Sequence, residues 1–261
     1  MPAVGLAVRS LGEGAPVVVL HGLLGQGRNW QAIGKRLATM GRRVHLVDLR
    51  NHGASPWALP MTYAAMADDL VALEDRLGLS QVNLVGHSMG GKAAMMLALR
   101  RPERVDRLVV VDVAPVRYEH GSFARYLAAM RALDLDRLGR RAAVESALEP
   151  VEPDPRIRAF LASNLEGGEE GLRWAPNLAV LADDLPSILD FPAEARSGLF
   201  DGPALFLLGA RSNYLEPATE PLVRRLFPRA EIRRIEGAGH WVHADAPEAV
   251  VAALDSFLPR G

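Results

Sequence analysis

Apolar and polar positions alternate along this chain in two different rhythms. Short runs rich in Val, Leu and Ile occur at Leu6–Arg9, Val17–Leu20, Val44–Val47, Val82–Val85, Leu108–Val111, Ala204–Leu208 and Glu231–Ile235. Runs of this length and continuity read as strands. Between them, apolar residues recur at helical spacing over Trp30–Met40, Tyr63–Leu77, Met89–Arg100, Glu216–Phe227 and Pro247–Phe257. The last stretch opens on a proline, whose missing N–H does no harm in a first helical turn. Strands without a polar face, interleaved with helices, predict a mostly parallel twisted sheet covered by helices on both faces: an α/β fold.

The rhythm breaks between Val113 and Gly202. Helical pieces at Phe123–Leu133, Arg140–Leu148, Pro155–Asn164 and Asn177–Leu189 follow one another with no run that reads as a strand. Turn signals such as Glu152-Pro153-Asp154-Pro155 and Gly167-Gly168 separate them. The expectation is a core made of 1–113 and 202–261, with an all-helical cap, 114–201, inserted over one edge of the sheet.

Composition narrows the function classes. The 261 residues suffice for one large domain. A formal net charge of −1 offers no basic field for nucleic acid. The absence of cysteine excludes disulfides, thiolate metal sites and a cysteine nucleophile. Seven histidines show no His-Glu-x-x-His spacing, so no metal is expected. Residues 1–14 lack the charged-then-apolar order of a secretory signal, and no apolar run approaches the ~18 residues of a membrane span. The default expectation is a cytoplasmic protein with no membrane partner.

Ligands of open α/β sheets bind beyond the carboxyl ends of the strands, so polar residues placed there carry the chemistry. Ser88 sits in Gly86-His87-Ser88-Met89-Gly90, directly between a predicted strand and a predicted helix. A Gly-x-Ser-x-Gly turn in that setting lifts the serine hydroxyl clear of the sheet as a nucleophile. His240, in a glycine-flanked loop after the last strand, is the candidate base. The backbone N–H groups of Leu23, after the second strand, and of Met89, at a helix start, are candidate donors to an oxyanion. Asp112 and Ser212 each follow a strand on the same rim. Bland readings fit the other candidates better: His21 and His52 brace glycine loops, Asp48 and Arg50 form an ion pair that fixes a loop, His87 points away from the rim, and His243 ties down the start of the last helix.

The motifs His21-Gly22-Leu23-Leu24-Gly25 with Asn29-Trp30, Asp48-Leu49-Arg50-Asn51-His52-Gly53, Gly86–Lys92 and Gly239-His240-Trp241 resemble the α/β-hydrolase superfamily over nearly the whole chain except the cap. Arg-Asn-His-Gly and Ser-Met-Gly-Gly-Lys resemble a narrower branch, the YbfF-type bacterial esterases and their mitochondrial abhydrolase relatives. One departure from the wider superfamily bears on the acid. Most members carry it in a Gly-x-x-Asp turn, and here that turn reads Gly209-Ala210-Arg211-Ser212. Asp112, on the correct rim, is the leading candidate, with Glu216 as the alternative; Asp201 precedes its strand and lies at the wrong end. The narrower resemblance implies Asp112, with Ser212 as a supporting hydrogen-bonding partner.

The expected activity is hydrolysis of small apolar esters or thioesters through an acyl-enzyme, with water as second substrate and no cofactor. Leu24, Trp174 and Trp241 are expected to line the substrate pocket. Other chemistry on the same scaffold stays open: carbon–carbon bond hydrolysis, perhydrolysis, acyl transfer, or a ligand-sensing receptor that keeps the triad.

Overall fold

In the computed structural model, residues 3–119, 121–168 and 171–261 are described. The sequence rhythm is realised as β1 (Val8–Leu11), β2 (Ala15–Leu20), α1 (Gln31–Thr39), β3 (Arg42–Val47), α2 (Tyr63–Arg76), β4 (Val82–His87), α3 (Met89–Arg100) and β5 (Val105–Val111). The chain then leaves the sheet and returns at β8 (Ala204–Gly209), α10 (Glu220–Leu226), β9 (Ala230–Ile235), α11 (Val242–Asp245) and α12 (Pro247–Phe257). The strands form a seven-stranded sheet in the order β1-β3-β2-β4-β5-β8-β9. Only β1 runs antiparallel to its neighbour; every other pairing is parallel. The expected first strand, Leu6–Arg9, is displaced to Val8–Leu11. Leu6 is buried in the core cluster instead, and ladder pairing begins at Val8 opposite Val47.

The central strands are buried along their length, as β4 and β8 are at every position. One apolar cluster fills the face beneath α2, α3 and the inserted segment, and a second fills the face beneath α1 and α12. Burying both faces satisfies runs that have no polar side to give to water.

The inserted segment holds α4 (Gly121–Ala132), α5 (Leu135–Leu138), α6 (Arg141–Ala147), α7 (Pro155–Ala162), β6 (Leu165–Gly168), β7 (Gly171–Trp174), α8 (Leu178–Asp183) and α9 (Leu185–Leu189). Two expectations need correcting. The segment is not all helical, because β6 and β7 pair antiparallel with Leu165 opposite Trp174 and Glu166 opposite Arg173. The predicted helix Asn177–Leu189 is two helices, broken at Asp184, which caps α9 ahead of Pro186. Proline in a first turn starts a helix and interrupts one already running. Among the described residues, no helix is long and apolar enough to cross a membrane.

Candidate active site

Ser88 follows β4 and precedes α3 with φ 52° and ψ −117°. A non-glycine residue at positive φ is strained by about 1–3 kcal/mol, held by what surrounds it. The surroundings are tight. A Cβ on Gly86 would meet the carbonyl oxygen of Gly90 at 2.3 Å, and one on Gly90 would meet that of His21 at 2.5 Å. The glycines on either side of the serine are therefore required by close backbone approach. The N–H of Ser88 donates to the carbonyl of Val111, tying the elbow to the next strand.

Asp112 follows β5 and is also left-handed, with φ 52°. Its carboxylate is fully buried and receives three hydrogen bonds: Gly209 N–H to Oδ1 at 2.9 Å, Ser212 O–H to Oδ2 at 2.6 Å, and His240 Nδ1–H to Oδ2 at 2.8 Å. A carboxylate only accepts, so the imidazole proton lies on Nδ1 and the Nε2 lone pair is left for a substrate proton. Tyr214 stacks on the other side of the imidazole, with centroids 3.9 Å apart and planes at 12°. Glu216, the alternative acid, is exposed and makes no side-chain hydrogen bond to this histidine.

Ser88, His240, Trp241 and Leu23 line one small cavity, and Ser88, Leu23 and Met89 line a second beside it. The N–H groups of Leu23 and Met89 have no hydrogen-bond partner among the described residues. Met89 opens α3, where a first-turn N–H has no acceptor within the helix. Leu24 and Trp174 are placed elsewhere, which corrects the expected pocket lining. Leu24 is fully buried in the core, its φ of 58° turning the loop. Trp174 ends β7, and its Nε1–H donates to the Met130 carbonyl of α4 at 3.0 Å.

The loop carrying Leu23 is held by groups whose role the sequence reading only partly anticipated. His21 Nε2 accepts from Leu49 N–H at 3.0 Å while its Nδ1–H donates to the Gly22 carbonyl. His52 Nε2 accepts from Leu24 N–H at 3.2 Å while its Nδ1–H donates to the Arg50 carbonyl. Each ring must stay neutral to do both, and burial enforces this by lowering His21 to about 4 and His52 to about 3. From the inserted segment, the fully buried Asn164 donates to the Leu24 carbonyl at 2.8 Å and accepts from Gln26 Nε2 at 3.0 Å. Asn164 was missed because nothing in the sequence marks one asparagine at a helix end as buried.

Two bland readings change, for Asp48 with Arg50 and for His87. Arg50 pairs with Asp69, not Asp48, at 2.6 Å in a buried bidentate contact, while Asp48 accepts from Gly27 and Ala54 N–H. His87 does not point away from the site: its Nε2–H donates to the His240 carbonyl at 2.9 Å, bracing the loop of the candidate base. His243 stacks on Trp30 with centroids 4.6 Å apart and lines the cavity of Ser88. Lys92, which closes the serine motif, is buried on α3. Its Nζ donates to the carbonyls of Val116, Leu189 and Asp190 at 2.8, 2.8 and 2.9 Å, clamping the two ends of the inserted segment to the core. Among the described residues, no three His, Cys, Asp or Glu side chains converge as metal ligands would.

A family model described as the alpha/beta hydrolase fold matches residues 15–247. The chain is 43% identical over 248 residues to the sn-1-specific diacylglycerol lipase ABHD11 of Mus musculus, covering 93% of this chain and 80% of that protein. It is 35% identical over 245 residues to the Escherichia coli esterase YbfF, covering 94% of this chain and 93% of the relative. Among solved structures, a marine microorganism esterase superposes with a TM-score of 0.94 at 35% identity, covering 98% of this chain and all of the other.

Proposed function

The chain belongs to the α/β-hydrolase family, and we propose that it is a serine hydrolase that cleaves carboxylic esters or thioesters through an acyl-enzyme. The observation that carries this reading is the bond of 2.8 Å between His240 Nδ1 and the buried Asp112, beside a serine held on a strained elbow. The names of the relatives, a lipase and an esterase, support the same reaction class. In this reading the core is 1–113 with 202–261, and 114–201 is a cap that shapes the substrate site.

Each residue then has a defined task. Ser88 attacks the acyl carbon as His240 Nε2 takes its proton. The N–H groups of Leu23 and Met89 receive the oxyanion, whose charge appears only as the tetrahedral state forms, so they favour the transition state over the substrate. His240 hands the proton to the departing alcohol or thiol, then activates water for deacylation. Asp112 fixes the tautomer and balances the charge of the imidazolium. Ser212 and Gly209 hold Asp112 in place, and Trp241 forms part of the substrate wall.

Replacing Ser88 by Ala removes the nucleophile and leaves the elbow glycines intact. The expected result is loss of p-nitrophenyl ester turnover by at least ~10⁴ with an unchanged melting curve. Retained turnover in the folded variant would place the nucleophile elsewhere.

A further inference from the structure

The segment from Gly209, at the end of β8, to Tyr214 meets the Asp112–His240 pair from more than one direction. Gly209 N–H and Ser212 O–H bind the two carboxylate oxygens of Asp112. Two residues on, Tyr214 lies flat against the imidazole of His240, with centroids 3.9 Å apart and planes at 12°. The bonds to Asp112 account for how the acid is held. They leave open why the same turn sets an aromatic face on the base.

The tyrosine is fixed through its backbone. Its N–H donates to Ser212 Oγ at 3.3 Å, and its carbonyl accepts from the Tyr118 hydroxyl at 2.5 Å. Its ring also meets that of Tyr118, with centroids 4.9 Å apart at 50°. Burial, reinforced by the charge of Asp112, raises the Tyr214 phenol above its ordinary value. The ring is therefore neutral at neutral pH and turns an electron-rich face to the imidazole. His87, 4.8 Å from His240, is pushed well below the usual histidine range by burial, and Trp241 meets the imidazole edge-on at 5.6 Å. Neither carries a charge that could answer a cation.

The imidazole is neutral before Ser88 attacks and cationic in the tetrahedral state, while it holds the serine proton. A cation over an aromatic face, within about 6 Å of the centroid, is attracted by the ring, most strongly where water is excluded. The His240 side chain is only 13% exposed. An attraction that grows as the imidazolium forms favours the transition state over the bound substrate. We infer that Tyr214 is a positioning residue for the reaction: its ring holds the His240 imidazole in the orientation that meets Asp112, and its face stabilises the imidazolium. The inference rests on the serine-hydrolase reading above and gives the base a second partner that is not an acid.

Replacing Tyr214 by Phe and then by 4-fluoro-, 3,5-difluoro- and 3,4,5-trifluorophenylalanine keeps a flat ring of nearly constant shape while its face loses electron density stepwise. Phe as the baseline makes the series independent of the hydroxyl. With p-nitrophenyl acetate, kcat is expected to fall at each step, by about threefold to thirtyfold from Phe to the trifluoro ring, with KM within about twofold and an unchanged melting curve. A total fall below about threefold, a fall out of step with fluorination, or a change carried by KM overturns the stabilisation of the imidazolium. Tyr214→Leu removes the face but keeps an apolar cover. It should lose about tenfold in kcat relative to Tyr214→Phe, and equal activity of the two overturns the stacking role. The fluorinated series decides the matter even where Tyr214→Leu does not fold. Fluorophosphonate labelling of the wild type separates two kinds of failure. A flat series in a protein labelled at Ser88 rejects the role of Tyr214 alone, whereas no label and no turnover rejects the hydrolase reading and this inference with it.

Discussion

At the residue scale, Asp112 carries more of the site than any neighbour of Ser88. Three donors converge on one buried carboxylate, and hydrogen bonds to a charged acceptor are roughly twice as strong as neutral ones. Asp112→Asn keeps the shape but presents an N–H or a weaker acceptor to the imidazole, disturbing its tautomer. The expected loss in kcat is up to ~10⁴, by the logic of the triad aspartate, with Glu216→Gln near wild type. Ser212→Ala removes one of the three bonds and should cost about tenfold in kcat, the scale of a charge-assisted hydrogen bond. Steady-state kinetics of the three variants checks both. A large loss in Glu216→Gln beside an active Asp112→Asn would move the acid. The sequence already indicated this arrangement, because a serine in the Gly209–Ser212 turn leaves no carboxylate there. It gave no sign that His87 braces the His240 loop, since residue spacing does not reveal the direction of a side chain packed among three other rings.

At the element scale, the loop after β2 is held from both sides. His21 and His52 secure it from the core, and Asn164 reaches Leu24 and Gln26 from the end of α7. The inserted segment therefore helps to set the position of the Leu23 N–H as well as covering the site. Asn164→Ala leaves the Leu24 carbonyl without that donor and loosens the loop. The expected outcome is a fall in kcat of about tenfold to a hundredfold with little change in KM, because the lost support acts on the transition state. A raised KM with kcat unchanged would assign Asn164 to ground-state binding. Core elements were legible because long apolar runs and helical spacing are strong local signals; α3 and α12 begin and end where the pattern places them. The β6–β7 hairpin was not. Its strands are four residues each and rich in glycine, and it is secured by contacts read only in register: Leu165 beside Trp174, and the Glu166–Arg173 pair at 2.6 Å.

At the scale of the whole molecule, buried neutral histidines tie stability to pH. Burial lowers His21 and His243 to about 4 and His52 to about 3, and it also lowers His45 and His87. Below pH 6.5, the ordinary histidine value, the unfolded chain binds protons that the folded chain refuses. The stability these groups lend is complete above that value and is lost as pH falls toward their folded values. Glu74, raised by burial to about 7, acts in the opposite sense between its ordinary 4.5 and that value, one group against five. The melting temperature should fall by at least about 5 °C between pH 7 and pH 4.5, measured by thermal scanning at fixed ionic strength. A flat or rising profile on acidification would contradict neutral burial of these rings. The mostly parallel sheet followed from the alternation of elements, but the histidine cluster did not, because it draws on the end of β4 and on segments after β2, β3 and β9.

The central claim is that Ser88 forms the acyl-enzyme, with His240 and Asp112 behind it. Rapid quench of the enzyme with p-nitrophenyl acetate, followed by intact-mass measurement and peptide mapping, tests it most directly. A single acetyl adduct is expected on the peptide containing Ser88, formed at the rate of the burst and absent from Ser88→Ala. An adduct on another residue, or turnover of the Ser88→Ala protein at the wild-type rate, would contradict it.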